Sequence, residues 1–100
     1  LITPAEMPRT THVYHQYTLQ IKNGKRDQLK QHLENLGIPA MIYYPLPLQQ
    51  QEAFKNTAKA DGNLHVAQQL SDTVLSLPMH TELTKEEQNI VINSIKNFFN

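Results

Sequence analysis

Two adjacent phenols, Tyr43 and Tyr44, are followed by Pro45-Leu46-Pro47-Leu48 and then by three amides, Gln49, Gln50 and Gln51. Each proline fixes φ and removes a backbone donor, so Tyr44 to Leu48 is expected to be extended and close to polyproline in conformation. Phenols held at the mouth of such a stiff segment can stack on a ligand and hydrogen-bond to it at little ordering cost. They cannot carry protons near neutral pH. The same residues also suit a proline-rich crossover whose Tyr43 and Leu48 simply fill the core, and composition alone leaves the two readings level.

Other chemistry is hard to assemble. His12 and His15 stand three apart on an expected strand, which points them to opposite faces, whereas a chelating pair needs i, i+2 on a strand or i, i+4 on a helix. His32, His65 and His80 fall in three separate elements, so no metal site is expected. Ser71, Ser76 and Ser94 lack a nucleophile-elbow context, and the 3 glycines form no loop that could cradle a phosphate. Glu86 and Glu87 read as helix-start residues rather than as a general acid and base. No catalytic residue is expected in this chain.

The elements that must position the tyrosines follow from periodicity. His12 to Ile21 alternates, placing Val13, His15, Tyr17, Leu19 and Ile21 on one face of a strand. Asn23-Gly24 makes a turn. Leu29, Leu33 and Leu36 then recur at helical spacing from about Lys25 to Leu36, with Gly37 as the terminating residue and Pro39 beyond it. Ile38 to Tyr43 reads as a second strand, and a short helical piece is expected near Gln50 to Phe54. After a polar loop over Lys55 to Gly62, Val66, Ala67, Leu70 and Val74 mark an amphipathic helix from about Asn63 to Thr73. Leu75 to Pro78 is a third short strand. Thr84 and Glu87 form a capping box for a last helix over Lys85 to Phe99, whose Val91, Ile95 and Phe98 supply one apolar stripe. The sum is an α+β sandwich: a small three-stranded, mainly antiparallel sheet with helices packed on one face.

Composition narrows the function classes. At 100 residues the chain has the size of one domain, with residues 1–11 as an extended lead-in segment or linker. Lys and Arg number 9, as do Asp and Glu, so no field gathers nucleic acid or anionic lipid. There is no long apolar run and no signal-peptide pattern, and the absence of cysteine excludes disulfide and thiolate chemistry and fits a cytoplasmic setting. The chain does not open on methionine, which fits a piece of a longer protein.

Four motifs, in this order, resemble the C-terminal small domain of the pyridoxal-phosphate-dependent nucleotide-sugar aminotransferases, the DegT/StrS family: Val13-Tyr14-His15-Gln16-Tyr17, Gly37-Ile38-Pro39, Tyr43-Tyr44-Pro45-Leu46-Pro47-Leu48, and Val74-Leu75-Ser76-Leu77-Pro78-Met79-His80 with Glu82-Leu83-Thr84. The resemblance implies a fold-type I enzyme, homodimeric, that moves an amino group from an amino acid such as glutamate onto a keto group of a nucleotide-linked sugar. It implies that residues 12–100 are the small domain and that the lysine and acidic partner needed by pyridoxal phosphate belong to an N-terminal domain outside this chain. The chain alone would then bind no cofactor and be inactive. By the same resemblance Tyr43, Tyr44 and Gln51 reach the sugar-nucleotide. Three positions depart from the family pattern: Tyr43 replaces a common histidine, Gln49 the histidine after Pro-Leu, and Glu52 a frequent proline. Two other classes compete, a free-standing α/β ligand-binding or regulatory module and a peptide-binding domain using a sheet edge.

Overall fold

The computed structural model describes residues 1–54, 56, 57, 62 and 64–100. The order is β1 (Tyr17–Gln20), α1 (Arg26–Asn35), a 3-10 turn (Leu48–Gln50), α2 (His65–Thr73), β2 (Val74–Leu77) and α3 (Lys85–Phe99). Most of the expected polar loop, residues 55 and 58–61, lies outside the described residues, as does Asn63.

β1 and β2 pair antiparallel in the register Tyr17↔Leu77, Thr18↔Ser76, Leu19↔Leu75 and Gln20↔Val74. The pleat therefore sends Leu19 and Leu75 to one face and Thr18 and Ser76 to the other. Leu19 and Leu75 meet Leu29 and Leu33 of α1, Ile38, Ala40 and Val91 of α3 in a single core. Ile95 and Phe98 pack against its margin, half-buried, so the expected stripe of α3 does close the core although only Val91 is fully within it.

Local chemistry sets the boundaries. Asn23 and Gly24 both take positive φ, 63° and 67°, which reverses the chain between β1 and α1. Gly37 at φ 72° ends α1: its N–H donates to the Glu34 carbonyl at 2.9 Å and the Ile38 N–H to the Leu33 carbonyl at 2.9 Å, the paired bonds of a Schellman cap. At the start of α3 the Glu87 N–H donates to Thr84 Oγ1 at 3.2 Å, while the Thr84 N–H donates to Glu87 Oε2 at 2.8 Å. The end of α2 is tied to the β1–α1 corner, since the Ile21 N–H reaches the Thr73 carbonyl at 2.8 Å and Arg26 Nη1 donates to the Ser71 carbonyl at 2.8 Å.

Two expectations are corrected. Among the described residues the sheet has two strands, not three. The segment expected as a strand over 38–43 contributes one bridge, Met41↔Ser76, with bonds of 3.0 and 2.7 Å. Pro39 has no donor to give a ladder, and the chain departs toward Pro45 before a second pair can form. On the opposite edge Ile2 exchanges bonds of 2.9 and 3.0 Å with Gln20, so the lead-in segment touches the sheet at a single point as well. The first strand is also shorter than expected. Tyr14 sits at φ 46°, which breaks the alternation, and Val13 is 88% exposed rather than buried.

Candidate ligand-binding site

The β2 end and the segment after α1 enclose a cavity of about 260 Å³. Tyr43 lines it together with Met41, Ser76, Met79, His15 and Gln16, and Pro39, Leu77 and Pro78 complete the wall. Of its wall residues Ser76 is buried, 4% exposed, and its hydroxyl lies 2.8 Å from that of Thr18 on the neighbouring strand, which satisfies it. A buried hydroxyl without such a partner would cost the full desolvation of the group.

Tyr44, which is not one of the lining residues, stands beside Tyr43, with ring centroids 5.7 Å apart, planes inclined by 58° and a cis peptide bond between them. Tyr43 is 38% exposed and Tyr44 71%. The bland alternative, Tyr43 and Leu48 as core residues, does not describe them: Leu48 is 66% exposed. Pro47 is the buried anchor of the segment, at φ −62° and ψ 151°, and it leads into the 3-10 turn. Gln51 is half-buried, its N–H donating to the Leu48 carbonyl at 3.1 Å and its carbonyl accepting from the Phe54 N–H at 2.9 Å. Gln51 is not among the residues lining the Tyr43 cavity. The structure thus brings Tyr43 and Tyr44 together and sets Gln51 beyond the proline segment.

A wider and shallower cleft of about 700 Å³ lies between Gln49-Gln50 and α2, lined by His65, Gln68, Gln69 and Asp72. Two of its amides are already engaged, Gln50 Nε2 with Gln68 Oε1, and Gln68 Nε2 with both oxygens of Asp72 at 3.2 and 3.3 Å. Among the described residues its one aromatic side chain is the imidazole of His65.

His15 and Gln16 were not legible as site residues. Alternation assigns His15 to the core side, but the left-handed Tyr14 turns both side chains out, and both are exposed. That turn is held from three directions. The Tyr14 N–H donates to His12 Nδ1 at 2.9 Å, its ring stacks on His12 at 4.2 Å, and its hydroxyl donates to Glu6 Oε1 at 2.8 Å. The bond to the Glu6 carboxylate raises the Tyr14 phenol above its ordinary range. Among the other histidines, His32 Nε2 donates to the Ser94 carbonyl at 3.2 Å and its ring lies 5.4 Å from Phe98, a structural tie between α1 and α3. No group of three metal-ligating side chains stands together among the described residues.

Among the described lysines, Lys22, Lys25, Lys85 and Lys96 are exposed and Lys30 is paired with Glu34. Among the described residues no helix is long and apolar enough to cross a membrane.

The model of the DegT/DnrJ/EryC1/StrS aminotransferase family matches residues 1–96. The chain is 41% identical over 99 residues to the pleiotropic regulatory protein of Geobacillus stearothermophilus, covering 99% of this chain and 26% of that protein. It is 43% identical over 76 residues to the UDP-N-acetyl-3-dehydro-alpha-D-glucosamine 3-aminotransferase of Acidithiobacillus ferrooxidans, covering 76% of this chain and 20% of that protein. Among solved structures, S. venezuelae DesV in complex with a ketimine intermediate superposes with a TM-score of 0.85 at 30% identity, over 96% of this chain and 25% of that one. The chain therefore spans about a quarter of the length of the relatives it matches.

Proposed function

Because the chain belongs to the DegT/DnrJ/EryC1/StrS aminotransferase family, we propose that residues 12–100 are the C-terminal small domain of a fold-type I, pyridoxal-phosphate-dependent enzyme, with residues 1–11 leading into it. That enzyme transfers an amino group from an amino acid, glutamate in our reading, to a keto group of a nucleotide-linked sugar, as a homodimer in the cytoplasm. The observation that carries the reading is the exposed pair Tyr43 and Tyr44, of which Tyr43 lines a cavity, just ahead of the buried Pro47 in a chain that matches this family along its length. The sugar-nucleotide aminotransferase names of several relatives support the substrate class.

In this division of labour the cofactor supplies the electron sink for amino transfer when bound, on residues outside this chain. The small domain binds and orients. Tyr44 offers its ring and hydroxyl to the sugar-nucleotide, Tyr43 forms the cavity wall, and Gln51 contributes an amide from beyond the proline segment. None of the three needs to move a proton.

The test is to express the whole coding sequence around this chain and to supply glutamate with UDP- and dTDP-linked keto hexoses. The expected result is an amino-sugar nucleotide, identified by mass, with the 100-residue chain alone giving none. Binding of these nucleotides without turnover by the whole protein would instead favour a regulatory ligand-binding module.

A further inference from the structure

The Tyr43 cavity has a second side, formed by His15 and Gln16. Among the described residues neither side chain has a hydrogen-bond partner, although both lie beside the mouth. They are nonetheless held in place. The Tyr14 anchor on His12 and Glu6 precedes them, and Tyr17, paired with Leu77, follows directly. Between the two sides lie Ser76, whose hydroxyl is taken up by Thr18, and the apolar groups of Met41, Pro78 and Met79. An imidazole and a primary amide with uncommitted donors and acceptors thus line one cavity with a phenol and the apolar groups of Met41, Pro78 and Met79.

That arrangement matches a pyranose ring, whose C–H face packs on apolar surface while its rim of hydroxyls seeks donors and acceptors. At about 260 Å³ the cavity is smaller than the roughly 300–1,000 Å³ that encloses a drug-sized ligand, so it admits one ring and leaves the remainder of a nucleotide-sugar outside. We infer that His15 and Gln16, with Tyr43, form a subsite that grips the hexose ring of the nucleotide-linked sugar and sets sugar specificity. The inference rests on the function proposed above.

The experiment uses the whole protein with His15→Ala, His15→Gln and Gln16→Ala. The readouts are KM for the keto-sugar nucleotide and for glutamate, equilibrium binding of the amino-sugar nucleotide product, the inhibition constant of the free nucleoside diphosphate, and the thermal midpoint. Loss of one neutral hydrogen bond raises the sugar KM and weakens product binding by roughly three- to ten-fold for each alanine variant, and His15→Gln, which keeps a donor, recovers part of it. The glutamate KM, the nucleoside diphosphate constant and the thermal midpoint stay as in the unaltered protein. Unchanged sugar KM and product binding in both alanine variants would overturn the subsite. A nucleoside diphosphate constant that rises in step with the sugar KM would overturn the hexose assignment, and a joint fall in glutamate use and thermal midpoint would make both residues merely structural. An unaltered protein that binds sugar nucleotides without turning them over strikes the aminotransferase reading alone, and the subsite is then judged by the binding arm. Absence of both binding and turnover overturns both.

Discussion

On one face of the β1–β2 pair Leu19 and Leu75 stand opposite each other, 2% and 0% exposed, sealed by Leu29, Leu33 and Val91. On the other, one residue away along each strand, Thr18 and Ser76 share a hydroxyl bond at 2.8 Å beneath a cavity rimmed by Tyr43, His15 and Gln16. The strands are the same and only the parity of the residue differs. The first face brings aliphatic side chains together at Leu19 and Leu75 and serves stability. The second keeps a polar pair at its floor and holds its aromatic side chains out at the rim, an arrangement that adds little to folding and fits ligand contact. In the function proposed above, ligand contact falls to what the pleat turns away from the helices.

Changes to the sealed face should have the largest effects. Leu33 is fully buried, and Leu33→Ala should destabilise the chain by about 2–5 kcal/mol, read as a lowered chemical-denaturation midpoint. On the cavity face, Thr18→Val strands the buried Ser76 hydroxyl and should cost about 1–3 kcal/mol, whereas Thr18→Val with Ser76→Ala, which removes both polar groups, should recover most of the loss. A double variant as unstable as the single one would mean that the hydroxyl pair is not the relevant coupling.

Smaller effects come from the α3 cap. Thr84→Ala should cost about 0.5–2 kcal/mol in the same assay. The Glu87 carboxyl is held below its ordinary range, first by the Thr84 backbone N–H and then by the Thr84 side chain. A carboxylate with a depressed folded pKa contributes stability that is complete above the unfolded value of about 4.3 and is lost as pH falls through the folded one. The thermal midpoint should therefore drop more steeply on acidification in the unaltered chain than in Glu87→Gln, which cannot titrate. Parallel acid limbs would show that the cap does not carry charge-dependent stability.

How much of this could be read in the sequence depended on how far each element reaches for its partners. α3 was legible to the residue because Thr84 and Glu87 specify its start within one turn, and the end of α1 was legible because Gly37 terminates it locally. The three-stranded sheet was not, because whether Ile38 to Tyr43 pairs is decided by β2, far along the chain, and only Met41 reaches it. α2 shows the same dependence: it forms as expected, but Val66 is 57% and Leu70 37% exposed, so its apolar spacing does not translate into burial here. Tyr43 and Tyr44 drew attention because prolines stiffen the segment after them, but their residue types left core and surface level, and the exposure of both is set by the fold. His15 and Gln16 were hidden by Tyr14, whose left-handed backbone is supported by His12 and Glu6 and is invisible to an alternation pattern.

The central claim is that the cavity face meets the sugar-nucleotide and not the amino-acid donor, and the most direct test is to time the two half-reactions of the whole protein separately in Tyr44→Phe and Tyr44→Ala. Tyr44→Phe keeps the ring and loses one neutral hydrogen bond, so the half-reaction with the keto-sugar nucleotide should weaken by about 0.5–1.5 kcal/mol. Tyr44→Ala should weaken it further, since stacking area is lost too, while the half-reaction with glutamate proceeds as in the unaltered protein. Equal losses in both half-reactions, accompanied by a lowered thermal midpoint, would contradict the account and return Tyr44 to a structural role.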